Sequence, residues 1–349
     1  MNKMINLFKK LPAFSADYSG VCNAVQHMHC LIVLHGQGGC IGGVNTCDDF
    51  EKERNEERIL FTKISEIDTV TGNDKKLIDQ IVSDSQEIEN DFIIVAGSPI
   101  PMLIGTDWNA WVRELEAEMD KPVIAINTKG FATYEYGEKA IFLELVNKFA
   151  CSVEKESRAN IIGDTCLSGW TADMRRQLKV ELQKKYNTVV SWNDDATLDD
   201  LRKMCSASLN IAASISALPA VIKMKKDYGI PYITIPELNE IKRVDKLTGA
   251  RSILLVGEQI VMNQYREQIR RNNPDIQISV CNFFEMNPEW MEEGDCRLFG
   301  EDDYIKYLNE HGHCDCIVGD SLLEQFGGYE QKFIKYPQIA LSGRLLNDR

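Results

Sequence analysis

Cysteine is the residue of this chain best able to do chemistry, because a thiolate is both a nucleophile and a soft metal ligand. There are 11 among 349 residues, an odd number that cannot be fully paired within one chain. Two of them, each within two residues of a glycine, come first. Cys40 lies in the run GQGGCIGG at 36–43, after an apolar strand-like segment, and Cys22 lies in DYSGVCNAV. Glycines keep side chains away and leave backbone N–H groups free, which suits the sulfides of a cluster or an anion. The bland alternative is two packed thiols, since unpaired cysteines are commonly small buried hydrophobes. The string HGHCDC at 311–316 gathers two His and two Cys, but it leads into CIVG, where Cys316 should enter a core. Cys314 and Cys316, two apart on a strand, would share a face and could chelate together. Cys30 and Cys47 flank the glycine run as second-rank ligands. His27, His29 and His35 cluster near it in sequence, as proton relays or as partners of backbone carbonyls. Cys151, Cys166, Cys205, Cys281 and Cys296 read as packing.

Several chemistries find no support. There is no G-x-x-x-x-G-K-[ST] phosphate loop and no G-x-S-x-G elbow. The glycine run departs from a dinucleotide fingerprint, with Ile41 where the last glycine belongs. A formal charge of -14 without a basic stripe argues against nucleic acid or an anionic membrane as partner. The longest apolar run, 92–105, is broken by Ser98, Pro99 and Pro101, and no long apolar segment follows the initial lysines. The expected location is the cytoplasm.

The elements that must position these residues follow one rhythm. Short β-branched runs fall at 31–34, 59–64, 92–96, 123–126, 160–162, 188–191, 208–212, 232–235, 252–256, 277–280, 316–318 and 338–340. Between them lie helix-period segments at 75–88, 107–119, 172–185, 198–205, 219–228 and 261–272. In the second of these Trp108, Trp111, Val112, Leu115 and Met119 share a face, with Thr106 as N-cap. Such alternation predicts an α/β protein of doubly wound parallel sheets. A charged seam at 153–158 and a polar one at 236–251 divide it into domains 1–155, 156–240 and 241–349.

Taken in order, these segments resemble the nitrogenase component 1 type oxidoreductase family, which includes nitrogenase molybdenum–iron subunits, dark-operative protochlorophyllide reductase and nickel-sirohydrochlorin reductive cyclase. SGVC at 19–22 and HGQGGC at 35–40 are similar to the family's first two cluster cysteines. MLIGTD at 102–107 resembles the I-G-x-D after the third, and PVIAINTKGF at 122–131 the strand and loop beyond it. NIIGD at 160–164, TLDDLRKMCSASLNI at 197–211 and KKDYGIPYI at 225–233 look like the second domain; SILLVGE and CDCIVGDS look like the third. The resemblance implies three Rossmann-like domains around a central cleft.

Departures shape what is carried over. The third cysteine's place holds GSPIP, so only Ser98 or a proline is there. The family's long insert shrinks to the linker 235–252, and YPQIALSGR near the end offers no histidine. No large iron–molybdenum-type cofactor is therefore expected in this short, divergent member. By resemblance, Cys22 and Cys40 from each of two chains would hold one bridging [4Fe–4S] cluster in an oxygen-sensitive homodimer or paralogous heterodimer of an anaerobe. Electrons would come from a separate ATP-hydrolysing iron–sulfur reductase docking near Cys22, Cys40 and 42–49, and pass to an unidentified small-molecule substrate. His35, Asp107 and the His27/His29 pair are the proton donors proximity suggests. A non-catalytic scaffold for a metallocofactor and a cluster-free α/β binding protein are the alternatives.

Overall fold

Runs of buried Val, Ile and Leu, each ending in a small-residue turn before a helix, build three all-parallel sheets. The computed structural model describes residues 9–38, 58–194, 196–235, 247, 249–311, 314–327, 331–335 and 339–342. The first part comprises α1 (Asp17–Val25), β1 (Cys30–His35), β2 (Ile59–Phe61), α2 (Glu66–Thr71), α3 (Asp74–Asp84), β3 (Phe92–Gly97), α4 (Pro99–Ile104), α5 (Trp108–Met119), β4 (Val123–Ile126) and α6 (Tyr134–Phe149). Its sheet runs β2-β1-β3-β4. The second comprises β5 (Arg158–Ile162), α7 (Ala172–Gln183), β6 (Thr188–Ser191), α8 (Leu198–Arg202), β7 (Leu209–Ala212), α9 (Leu218–Tyr228) and β8 (Tyr232–Thr234), in the order β6-β5-β7-β8. The third comprises β9 (Ser252–Val256), α10 (Gln259–Asn272), β10 (Gln277–Asn282), β11 (Cys296–Arg297), α11 (Glu301–Glu310), β12 (Cys316–Gly319) and β13 (Lys332–Lys335), in the order β11-β10-β9-β12-β13.

Both faces of the first sheet are covered, which is why its strands read as unbroken apolar runs. Leu31, Val33, Ile93 and Val95 pack with Leu77, Ile78 and Ile81 of α3 and with Trp111 and Leu115 of α5. Ile32, Leu34, Ile94 and Ala96 pack on the other side with Val21 and Val25 of α1 and Ile141, Phe142 and Leu145 of α6. Each such fully buried side chain contributes roughly 1.5–3 kcal/mol of transfer free energy.

The structure departs from the sequence reading in several places. DYSGVCNAV, which carried no expected element, is the helix α1. The 16-residue α6 stands where no helix was expected. The cap of α5 is Asp107, whose carboxylate accepts from the N–H groups of Asn109 and Ala110 at 3.0 and 3.1 Å, not Thr106. Ile339 and Ala340 lie outside any strand, and β13 takes the sheet edge instead. They are held by Ile339 N–H donating to Asp320 (2.9 Å) and Ser15 N–H to the Ala340 carbonyl (3.0 Å).

The parts are joined through backbone groups. Residues 9–16 run from the third part to the first: Glu301 accepts the N–H groups of Lys9, Lys10 and Leu11 at 2.7, 2.9 and 3.0 Å, Phe14 bridges to Leu341, and Ala16 bridges to Thr133. At the crossing of α1 and α6, a methyl group on Gly20 would strike the Tyr134 carbonyl, and one on Gly137 would strike the Asp17 carbonyl. Only glycine allows so close an approach of two backbones.

Candidate functional site

In an open parallel sheet, ligands are taken outside the C-terminal strand ends, where the strand order reverses. In the first sheet that point lies between β1 and β3, at His35–Gly36 and Gly97–Ser98. Ser98 N–H donates to the His35 carbonyl (2.9 Å), and a Cβ on Gly36 would overlap the Ser98 hydroxyl. Helix α1 descends past this edge. Asp17 at its start accepts from Lys129 and Gly130 N–H (2.9 and 2.8 Å), fixing the loop after β4. Gly130 is seated against Pro99 and the Tyr18 ring, so Tyr18 and the Ser98–Pro99 turn come together. Cys22 follows one turn later on the same helix face and is 4% exposed. Helix side chains tilt toward the N-terminus, which leans its thiol back toward that edge. The next residue, Asn23, docks the loop after β5, donating to Cys166 Sγ (2.9 Å) and accepting from Leu167 N–H (3.2 Å). Cys40 and Cys47 lie outside the described residues. Among the described residues no three or more His, Cys, Asp or Glu side chains come together as a metal site.

The other sequence candidates separate in space. His27, His29 and Cys30 lie at the N-terminal end of β1, roughly 17 Å of strand from the glycine run. His29 pairs there with Asp91 (3.2 Å), and burial pushes the Cys30 thiol up to about 12. His35 does reach the edge, but its ring packs against Trp111 and Trp108 and contacts Thr62 Oγ1 at 3.0 Å. Burial draws it down to about 3, so it is neutral across the physiological range and cannot serve as an imidazolium donor. Cys316 packs with Ile253 and Leu255, whereas Cys314 packs with the cluster of Leu254 and Ile317 on the opposite face. The two thiols thus belong to different hydrophobic clusters.

Sequence reasoning passed over a second constellation. Glu138 of α6 is fully buried and accepts from Thr165 Oγ1 (2.5 Å), Ser168 Oγ (3.1 Å) and Ser216 Oγ (2.5 Å) at the strand-end turns of the second sheet. Burial raises its carboxyl to about 8. Glu258, at the end of β9, accepts from Ile215 N–H (2.8 Å) and is raised by burial to about 7. The ends of the second and third sheets thus meet at α6.

A family model for nitrogenase component 1 type oxidoreductases matches residues 17–275. The chain belongs to that family. Among curated members, it is 28% identical over 314 residues to the nitrogenase molybdenum-iron protein alpha chain of Methanococcus maripaludis, covering 84% of this chain and 61% of that one. It is 29% identical over 252 residues to the iron-molybdenum cofactor biosynthesis protein NifE of Clostridium pasteurianum, covering 66% of this chain and 53% of that one. The chain thus spans somewhat over half the length of these two relatives. A solved structure of nitrogenase Cp1 at pH 6.5 superposes with a TM-score of 0.71 at 13% identity, over 96% of this chain and 88% of that chain. Its likeness bears on the fold, and the three parallel sheets agree with it. Among the described residues of this component 1 member, no helix is long and apolar enough to cross a membrane.

Proposed function

We propose that the chain is an iron–sulfur-binding subunit of a nitrogenase-like reductase, with Cys22 and Cys40 as thiolate ligands to one [4Fe–4S] cluster shared across two chains. The observation that carries this reading is the placement of Cys22. It sits on a glycine-pinned helix one turn from the ligand-taking edge of the first sheet, beside the turn from which the Cys40 run departs. The residues fit such a group: a buried thiol and a buried Ser98 hydroxyl with no partner among the described residues lie at the same sheet edge. When bound, the cluster would supply one-electron transfer. The chain's own part is to hold the thiols rigidly and exclude water, through the α1–α6 crossing and the Asp17 and Asn23 bonds. Two cysteines per chain fall short of the four a cubane needs, and a two-fold axis doubles them. We assign the domains as 1–155, 156–240 and 241–349, with the first carrying the cluster.

In keeping with the family likeness, the electron source in this reading is a separate ATP-hydrolysing iron–sulfur reductase, since the chain itself has no phosphate loop, and the final acceptor is a small molecule. Mixing the two proteins anaerobically and following reduction with and without ATP tests this. Reduction should require ATP; an equal rate without it would exclude the dedicated partner. The NifE likeness favours a second reading, a scaffold holding a metallocofactor precursor in the same fold. For a scaffold, no substrate would reoxidise the reduced protein.

A further inference from the structure

Ser98 is placed as a helix cap but does not cap. It precedes α4 with extended backbone, where a serine hydroxyl ordinarily accepts from the N–H groups two or three residues on. Here Pro99 and Pro101 remove two of the first three N–H groups, and the hydroxyl makes no cap bond. The residue is 1% exposed, and its Oγ has no hydrogen-bond partner among the described residues. Leaving a hydroxyl buried and unsatisfied is costly, so a partner that arrives later is the economical explanation. The direction is defined: the hydroxyl lies against Gly36, which must lack a side chain to make room for it, at the edge toward which Cys22 leans. The same two prolines thin the backbone donors of this turn to the N–H of Ile100, and the N–H of Ser98 is spent on His35. A sulfur-rich group bound at Cys22 would thus find one side-chain donor in this turn, the Ser98 hydroxyl.

We propose that the Ser98 hydroxyl donates a hydrogen bond to a sulfur of the iron–sulfur group held at Cys22, and that this bond sets how readily the group is reduced. The inference rests on the cluster assignment above. Hydrogen bonds to cluster sulfur stabilise the more negative, reduced state, so they favour reduction. Ser98 acts here as a positioning and tuning residue; the thiolates remain the ligands.

The test compares the anaerobically prepared full-length protein with Ser98→Ala and Ser98→Thr variants, each first assayed for iron. In the reduced wild type, pulsed electron paramagnetic resonance should detect a proton coupling that disappears after exchange into deuterium oxide. Ser98→Ala should lose this coupling and disfavour reduction about tenfold, or about 59 mV for a one-electron couple. Ser98→Thr, which keeps the hydroxyl, should restore both. An Ala variant that keeps the coupling and the potential would overturn the assignment of Ser98 and leave the cluster reading standing. Absence of iron from the wild type would overturn the cluster reading itself, and this inference with it.

Discussion

Glu138 is a carboxyl group among hydroxyls, with no ion pair among the described residues and no water contact. Burial is the dominant cause of its raised pKa, and the three hydroxyl donors only partly offset it. The folded chain therefore binds this proton more tightly than the unfolded chain does. The resulting stability is complete below the ordinary value of 4.5 and is lost as pH rises through about 8. Glu258, raised to about 7, acts in the same direction over a lower window. Stability to urea should fall from about pH 4.5 to about pH 8, by up to about 1.4 kcal/mol per pH unit for each of the two groups while it differs in protonation between the states, and level off above. Glu138→Gln should flatten the upper part of that decline. A Gln variant with an unchanged pH profile would show that Glu138 is not the titrating group. This residue was illegible in the sequence, because one of three Glu in YEYGEKAIFLELVNKF reads as a solvated helix charge. Only the turn after β5, folded back onto α6, gives it its hydroxyl partners. Asp107 shows the reverse: offered as a proton donor from sequence proximity, it caps α5.

Elements were legible in proportion to how one-sided their surroundings are. The sheet strands announced themselves because both faces are buried and the runs are continuously apolar. Helix α5 showed a clean stripe because only one side meets the sheet. Helix α6 did not, since α1, the first sheet and the second part pack around it and bury residues on several faces, including Glu135 and Glu138. Gly20 misled for a related reason. A glycine before a cysteine suggests an open turn, whereas here it serves the α1–α6 crossing that holds Cys22 in place. Gly20→Ala sets a helix-propensity gain of about 1 kcal/mol against a backbone collision. The struck atom is a carbonyl oxygen that cannot swing aside, so the collision wins. Overpacking of this kind costs about 1–3 kcal/mol. The variant should unfold at lower urea and, by displacing α1, retain less iron. A variant as stable as the parent would mean that the helices do not cross this closely.

At the scale of the whole molecule, carboxylates on backbone N–H groups recur within the parts, Asp17 on Lys129 and Gly130 and Asp320 on Ile339, and between them, Glu258 on Ile215 and Glu301 on the strap at 9–11. Charge-assisted bonds of this type are each worth about 1.5–3 kcal/mol. The acidic composition thus has structural uses beyond solubility, which composition alone does not disclose. The order of the three sheets was legible in the rhythm of runs and turns. The strap was not, because residues 9–16 carry no period and gain their partners from distant residues, most of them at the far end of the chain. The central claim concerns an assembly: two chains closing one cluster through Cys22 and Cys40. Native mass spectrometry of anaerobically purified protein reads chain number and cluster mass together. The account predicts two chains carrying one [4Fe–4S] unit, and an iron-free, largely dissociated Cys22→Ala/Cys40→Ala double variant. A single chain retaining a full cluster, or a double variant with undiminished iron, would contradict it.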